Sequence, residues 1–199
     1  MFQESHFMET KEQIRKRIIQ IRNKMISEEV AQKSSLITQK VLKIPEYEEA
    51  DNILLYADYR HEVMTRDIFE DAVLRKKKVF FPKSNDDGTM EFYQVVSVKQ
   101  LESGYKGIKE PIVNERYLYR FQRSEDTLIV VPGVAFDTKG YRVGYGKGFY
   151  DRFLQDKRQM TVIGLCFSNQ VVEEIPHDEH DIRMDKIVTE EIQYSFLRI

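Results

Sequence analysis

One stretch constrains this chain more than any other. An apolar run, Asp126 to Val134, leads through Lys139 into Gly140-Tyr141-Arg142-Val143-Gly144-Tyr145-Gly146-Lys147-Gly148-Phe149-Tyr150-Asp151. Four of the nine glycines in the chain fall at 140, 144, 146 and 148. Glycine lets a backbone take positive φ and approach a ligand closely. Successive free N–H groups in such a loop form an anion-binding concavity, and Arg142 and Lys147 add positive charge to it. From Phe149 onward the spacing of Tyr150, Phe153 and Leu154 is helical. The reading is a buried strand, a cationic glycine loop and a helix, which outlines a phosphate site. Two common phosphate loops are excluded: Gly148 follows Lys147 where a P-loop needs a hydroxyl, and Gly144-Tyr145-Gly146 does not extend into G-x-G-x-x-G. The aromatic rings interleaved with the glycines argue against a floppy linker and for a stacked ring beside the phosphate.

The rest of the chain bounds the class. Its 199 residues suit a single domain spanning 1–199. A net charge of −2 provides no global basic field, so nucleic acid is not an expected partner. The single cysteine, Cys166, lies in the apolar run 162–167 and reads as a buried hydrophobe. No apolar run approaches membrane-spanning length, and the polar N-terminus lacks a signal-peptide core. The expectation is a cytoplasmic monomer that engages no membrane, with residues 1–10 disordered.

Taken in order, the periodicity predicts a helix over 11–25, with Ile14, Ile18, Ile21 and Met25 inward and a basic outer face. A second helix runs from Ser27, its expected N-cap, to about Leu42. Residues 52–57 form the first central strand, and a helix over 66–77 follows, with Thr65 as its N-cap. Strand 79–82 completes a β-α-β unit, hence parallel pairing. The turn at 85–88 and the alternating segment 90–95 make a hairpin. Further strands are expected over 126–134, 162–167 and 186–189, with a helix over 149–155 between them. His177 and His180 raise a zinc site only weakly, because they lack further ligands of that kind. The fold class is α/β: a layered sandwich with a mostly parallel central sheet flanked by helices.

Residues 144–154, Gly-Tyr-Gly-Lys-Gly-Phe-Tyr-Asp-Arg-Phe-Leu, closely resemble the signature of the 5-formyltetrahydrofolate cyclo-ligases. Weaker similarities run in the same order through the chain. Lys11 and Arg15 match a K-x-x-x-R pair of the family's first helix, Glu62-Val63-Met64-Thr65 matches E-[VI]-x-T, and 104–111 matches G-x-x-G-I-x-E-P. The resemblance implies ATP-dependent cyclisation of 5-formyltetrahydrofolate to 5,10-methenyltetrahydrofolate, with ADP and phosphate released. It implies that Lys11, Arg15, Arg142 and Lys147 face the nucleotide together with Gly144, Tyr145, Gly146, Gly148, Phe149 and Tyr150. Lys147 and Arg142 would act on the transferred phosphoryl group. Glu62 would hold the folate, bordered by the loop from Tyr145 to Phe149, and Asp151 and Asp181 would hold Mg²⁺. Phe149 departs from the tyrosine that the family often carries. Two other readings share the loop: a nucleotide- or RNA-binding module without chemistry, and a phosphotransferase with a different small acceptor.

Overall fold

The computed structural model describes residues 9–155 and 159–197. The expected disorder at 1–10 mostly lies outside the described residues; Thr10, however, is ordered. It caps α1 (Lys11–Arg22) in a capping box with Gln13, and Ile14 and Ile18 are the buried apolar positions of that helix. Helix α2 (Ser27–Val41) follows, then α3 (Pro45–Glu49). Ile26, not Ser27, stands at the cap of α2, and no side chain caps that helix. The chain then alternates strand and helix: β1 (Asn52–Leu54), α4 (Arg66–Leu74), β2 (Lys78–Ser84) and β3 (Met90–Gln94). Thr65 sits at the N-cap of α4 without capping it. Its hydroxyl donates instead to the Tyr56 carbonyl at 2.7 Å, which closes the loop after β1.

A small hairpin comes next, β4 (Leu101–Ser103) with β5 (Lys109–Pro111). Strand β6 (Thr127–Val131) is buried at every position. Three short elements follow it: β7 (Ala135–Asp137), β8 (Arg142–Val143) and α5 (Phe149–Leu154). The chain closes with β9 (Thr161–Leu165), β10 (Val171–Val172), β11 (Lys186–Val188) and β12 (Gln193–Ser195).

Seven strands form the central sheet in the order β12-β11-β9-β6-β1-β2-β3. The five inner strands pair in parallel, and β3 and β12 close the edges antiparallel. Side chains alternate between the faces. Ile53, Val79, Leu128 and Ile163 face α2, α3 and α4, whereas Leu54, Phe80, Ile129 and Val162 face Phe136 of β7 and Leu154 of α5. A second small sheet, β10-β7-β8, covers that side, and α1 packs on it through Ile14 and Ile18. The β10-β7-β8 sheet and β12 escaped the sequence reading, because strands of two or three residues carry too little alternation to be seen.

The junction of the two sheets is tight. A Cβ at Gly164 would meet the Phe136 ring at 2.3 Å, and one at Gly133 would meet it at 2.5 Å. Both glycines therefore exist to seat Phe136, which is fully buried. Next to it, the buried carboxylate of Asp137 accepts three backbone N–H bonds: Lys139 at 2.9 Å, Tyr141 at 2.8 Å and Ile175 at 3.0 Å. Replacing Asp137 with Ala strands three amide donors, two of them on the glycine-loop strand. The expected cost is about 3 kcal/mol or more of unfolding free energy, read from the urea midpoint. A loss below about 1 kcal/mol would mean that those amides reach water, contrary to this account.

Candidate functional site

Three parallel strands end at one place. Strand β1 continues into Tyr56 and Ala57, β2 ends at Pro82 and Ser84, and β6 delivers Pro132; all of these border a single cavity of about 780 Å³. Strands β2 and β6 flank β1 on opposite sides, so the sheet order reverses there. Crevices at such switch points, outside the carboxyl ends of the strands, are where open α/β sheets take ligands. The volume suits a ligand of drug or cofactor size.

The glycine loop forms one wall. Asp137 turns the chain out of β7, and Gly140, with φ of +98°, accepts from the Met184 amide at 2.8 Å. The loop then passes over α1, where Arg15 Nε donates to the Gly144 carbonyl at 2.8 Å. Gly146 has φ of +89°, and its missing Cβ would stand 3.4 Å from the Arg15 guanidinium. A side chain there would be strained and would also crowd that cation. Lys147 is exposed at the cavity edge, and Phe149 lies under the Arg152 guanidinium, 5.6 Å from ring centroid to Cζ.

Every site residue expected from the sequence borders this cavity. Two ion pairs organise its charge. Lys11 reaches both oxygens of Asp181 at 2.6 Å, and Arg142 holds Asp151 at 2.7 Å. The Ile182 amide approaches Asp151 Oδ1 at 3.4 Å, so the Asp151 carboxylate lies against the peptide that carries Asp181. Two carboxylates therefore share one corner. Hard Mg²⁺ needs few protein carboxylates when phosphate oxygens supply its other ligands, and the donor set fits that mode. Among the described residues, no group of three His, Cys, Asp or Glu side chains forms a self-sufficient metal cage. His177 stacks on Tyr141 at 3.6 Å between ring centroids and contacts the Ile175 carbonyl, so its packing explains it.

Glu62 comes from the loop after β1. Arg60 and His61 just before it both have positive φ, 45° and 57°, which is strained for residues with side chains. The Tyr59 amide donates to Glu62 Oε2 at 2.9 Å. Burial pushes the carboxyl of Glu62 up to about 7, while Arg22, the Tyr59 amide and the Tyr145 hydroxyl pull the other way. Burial also raises the Tyr145 phenol to about 12, with the Glu62 charge adding to the rise, and raises Tyr150 for the same two reasons. Both phenols therefore stay protonated near neutral pH. Sequence reasoning missed Arg22, which looked like one more basic residue of an amphipathic helix yet is buried. Glu110, the acid of the G-x-x-G-I-x-E-P match, borders the cavity, and Lys83 holds it at 2.6 Å. The loop 104–111 is thus both structural turn and cavity wall.

A three-layered α/β protein with one ligand-sized cleft at the strand termini is the class that this fold and site define. Comparison with known proteins then narrows it. The sequence profile of the 5-formyltetrahydrofolate cyclo-ligase family matches residues 7–190. A Schizosaccharomyces pombe protein named "Probable 5-formyltetrahydrofolate cyclo-ligase" is 34% identical over 169 residues, covering 78% of this chain and 82% of that one. The solved 5,10-methenyltetrahydrofolate synthetase of Aquifex aeolicus superposes with a TM-score of 0.80 at 32% identity, covering 93% of this chain and 92% of its own. That of Mycoplasma pneumoniae gives 0.72 at 25% identity, covering 90% and 98%. The chain belongs to the 5-formyltetrahydrofolate cyclo-ligase family and is an enzyme of that class.

The raised carboxyl of Glu62 makes a stability prediction of definite sign. A folded-state value of about 7 against an ordinary 4.5 means that the folded protein binds the proton more tightly. Stability is therefore lost as pH rises between those two values. Glu62→Gln should be more stable than the parent at pH 8, by up to about 3 kcal/mol, and equal to it near pH 4. Urea melts at the two pH values decide this; a variant less stable than the parent at pH 8 would contradict the burial argument.

Proposed function

We propose that this enzyme converts 5-formyltetrahydrofolate to 5,10-methenyltetrahydrofolate at the expense of ATP, with Mg²⁺ bound. One observation carries the reading. The cations Lys11, Arg15, Arg142 and Lys147, the carboxylates Asp151 and Asp181, and the buried acceptor Glu62 surround the same cavity, together with the glycine loop. Polyanion and pterin can then meet in one cleft. The named homologues support the substrate, since they are 5-formyltetrahydrofolate cyclo-ligases and methenyltetrahydrofolate synthetases.

The chemistry asks for positioning and charge neutralisation. The formyl oxygen of the substrate is a poor leaving group. In the proposed sequence it attacks the γ-phosphorus of ATP, and ADP departs. N10, losing its proton, then attacks the formyl carbon; the C–O bond breaks and inorganic phosphate carries the oxygen away. Catalysis of phosphoryl transfer rests mainly on alignment and on cations at the equatorial oxygens. Lys147, exposed at the rim, and Arg142, whose Nε meets no partner among the described residues, are suited to that duty. Lys11 and Arg15 lie one helical turn apart and can reach one phosphate chain. Glu62 accepts from the amidine-like N–H edge of the pterin, and Tyr145 to Phe149 form the partition between the substrates. Asp151 and Asp181 would hold Mg²⁺, which when bound neutralises phosphate oxygens.

The test is spectroscopic. Purified protein with ATP, Mg²⁺ and 5-formyltetrahydrofolate should generate the near-ultraviolet absorbance of the methenyl product. Lys147→Ala should reduce turnover roughly 100-fold or more, in the range seen when one charge-stabilising donor is removed. Its melting temperature should not move, because the parent side chain is exposed. A parent protein without product, or a variant with near-normal turnover, would refute the reaction or the role of Lys147 respectively.

A further inference from the structure

A buried guanidinium lies beside the pterin acceptor with little folding reason to be there. Arg22, in the last turn of α1, is 1% exposed. Its Nη2 donates to the Tyr145 hydroxyl, and Cζ stands 5.7 Å from the centre of that ring. Among the described residues, Nε and Nη1 meet no acceptor. A charge this deep with two donors unmatched costs stability, and its place at a helix C-terminus recovers only part of that cost. Hydrophobic burial of a Leu or Met there would serve α1 better. The Tyr145 hydroxyl, meanwhile, accepts from Arg22, and Tyr145 and Glu62 border the same cavity, close enough for each to perturb the other's ionisation.

We infer that Arg22 is a positioning residue for substrate recognition: acting through the Tyr145 hydroxyl, it sets the surroundings of the Glu62 carboxylate that is to meet a pterin N–H edge. The inference rests on the pterin reading of Glu62 given above. The groups around Glu62 come from several elements. Tyr145 approaches from the glycine loop, Tyr150 from α5, Tyr56 from the end of β1, and Asp58 from Glu62's own loop. His61 precedes Glu62 in the chain, and Arg60 is turned onto the Tyr59 ring, 4.8 Å from its centroid. Asp58 and burial oppose ionisation of Glu62, and the cation favouring it is Arg22. Tyr145 supplies the geometric part of the link: its hydroxyl accepts from Arg22, and it borders the same cavity as Glu62. The arrangement joins the nucleotide-side loop to the folate-side acceptor through a residue of the first helix.

The test separates Arg22's hold on Glu62 from the identity of the substrate. The Glu62 carboxyl is followed by carbon NMR in protein carrying labelled glutamate, its signal assigned by its loss in Glu62→Gln. In Arg22→Met the titration midpoint should rise from about 7 by roughly half a pH unit or more as the neighbouring cation is removed. The KM for 5-formyltetrahydrofolate at pH 7 should rise roughly tenfold with kcat nearly unchanged, since a ground-state contact is weakened. The melting temperature should hold or increase, which a residue kept for packing would not allow. Arg22→Lys should restore most of the loss. Tyr145→Phe should itself shift the midpoint, and Arg22→Met should add less on that background than on the parent. If Arg22→Met does not fold, Arg22→Lys and Tyr145→Phe still report the midpoint. An unmoved Glu62 midpoint overturns the inference; a moved midpoint with an unchanged KM supports Arg22's hold and removes Glu62 from folate recognition.

Discussion

The framework of the site depends on one buried carboxylate. Asp137 ends β7 and gathers the amides of Lys139, Tyr141 and Ile175. Through the first two it fixes how the chain leaves the small sheet and therefore where the glycine loop begins. Through the third it anchors the segment that continues to Asp181. Three N–H donors to one carboxylate satisfy its charge without a cation, so it can be buried where a lone Asp could not. The loop and the acidic tail are thus fixed to one another before any ligand arrives.

On that foundation the cavity is built as a set of exchangeable charge pairs. Lys11 and Asp181 are 170 residues apart in sequence and 2.6 Å apart in space. Arg142 and Asp151 are held at 2.7 Å, with Arg142 buried. Lys11 and Arg142 thus each face an anion, whereas Arg15 donates to the Gly144 carbonyl. Such pairs in a partly dry site are poor stabilisers, because the Coulomb gain barely covers desolvation. They are better understood as pre-placed charge. The proposed phosphates and Mg²⁺ would offer these groups new partners of opposite charge.

Much of this was legible in the chain. Alternating apolar runs and helical periods gave the parallel sheet, because β-α-β connections leave few topologies. The spacing of Gly144, Gly146 and Lys147 carried the family, because a backbone that must approach an anion tolerates few residues. Other features were not legible. Strands β7, β8 and β10 are too short to leave a pattern, and they exist because Phe136 docks against Gly164 and Gly133. Thr65 looked like a helix cap and proved to brace Tyr56, a choice between two local hydrogen bonds that only the surrounding chain can make. Arg22 looked like a solvated basic residue, since helical spacing gives its face but not what lies over that face.

The sequence alone determined the class of fold and the family, and it supplied candidate residues for an anion, since these follow from local backbone freedom, hydrophobic period and side-chain chemistry. Only the tertiary structure decided which charges meet. Lys11 finds Asp181, Arg142 finds Asp151, and Arg22 finds the Tyr145 hydroxyl. Their pairing depends on long-range packing of the two sheets and α1, and Coulomb and hydrogen-bond energies fall off over a few ångströms that no spacing along the chain encodes.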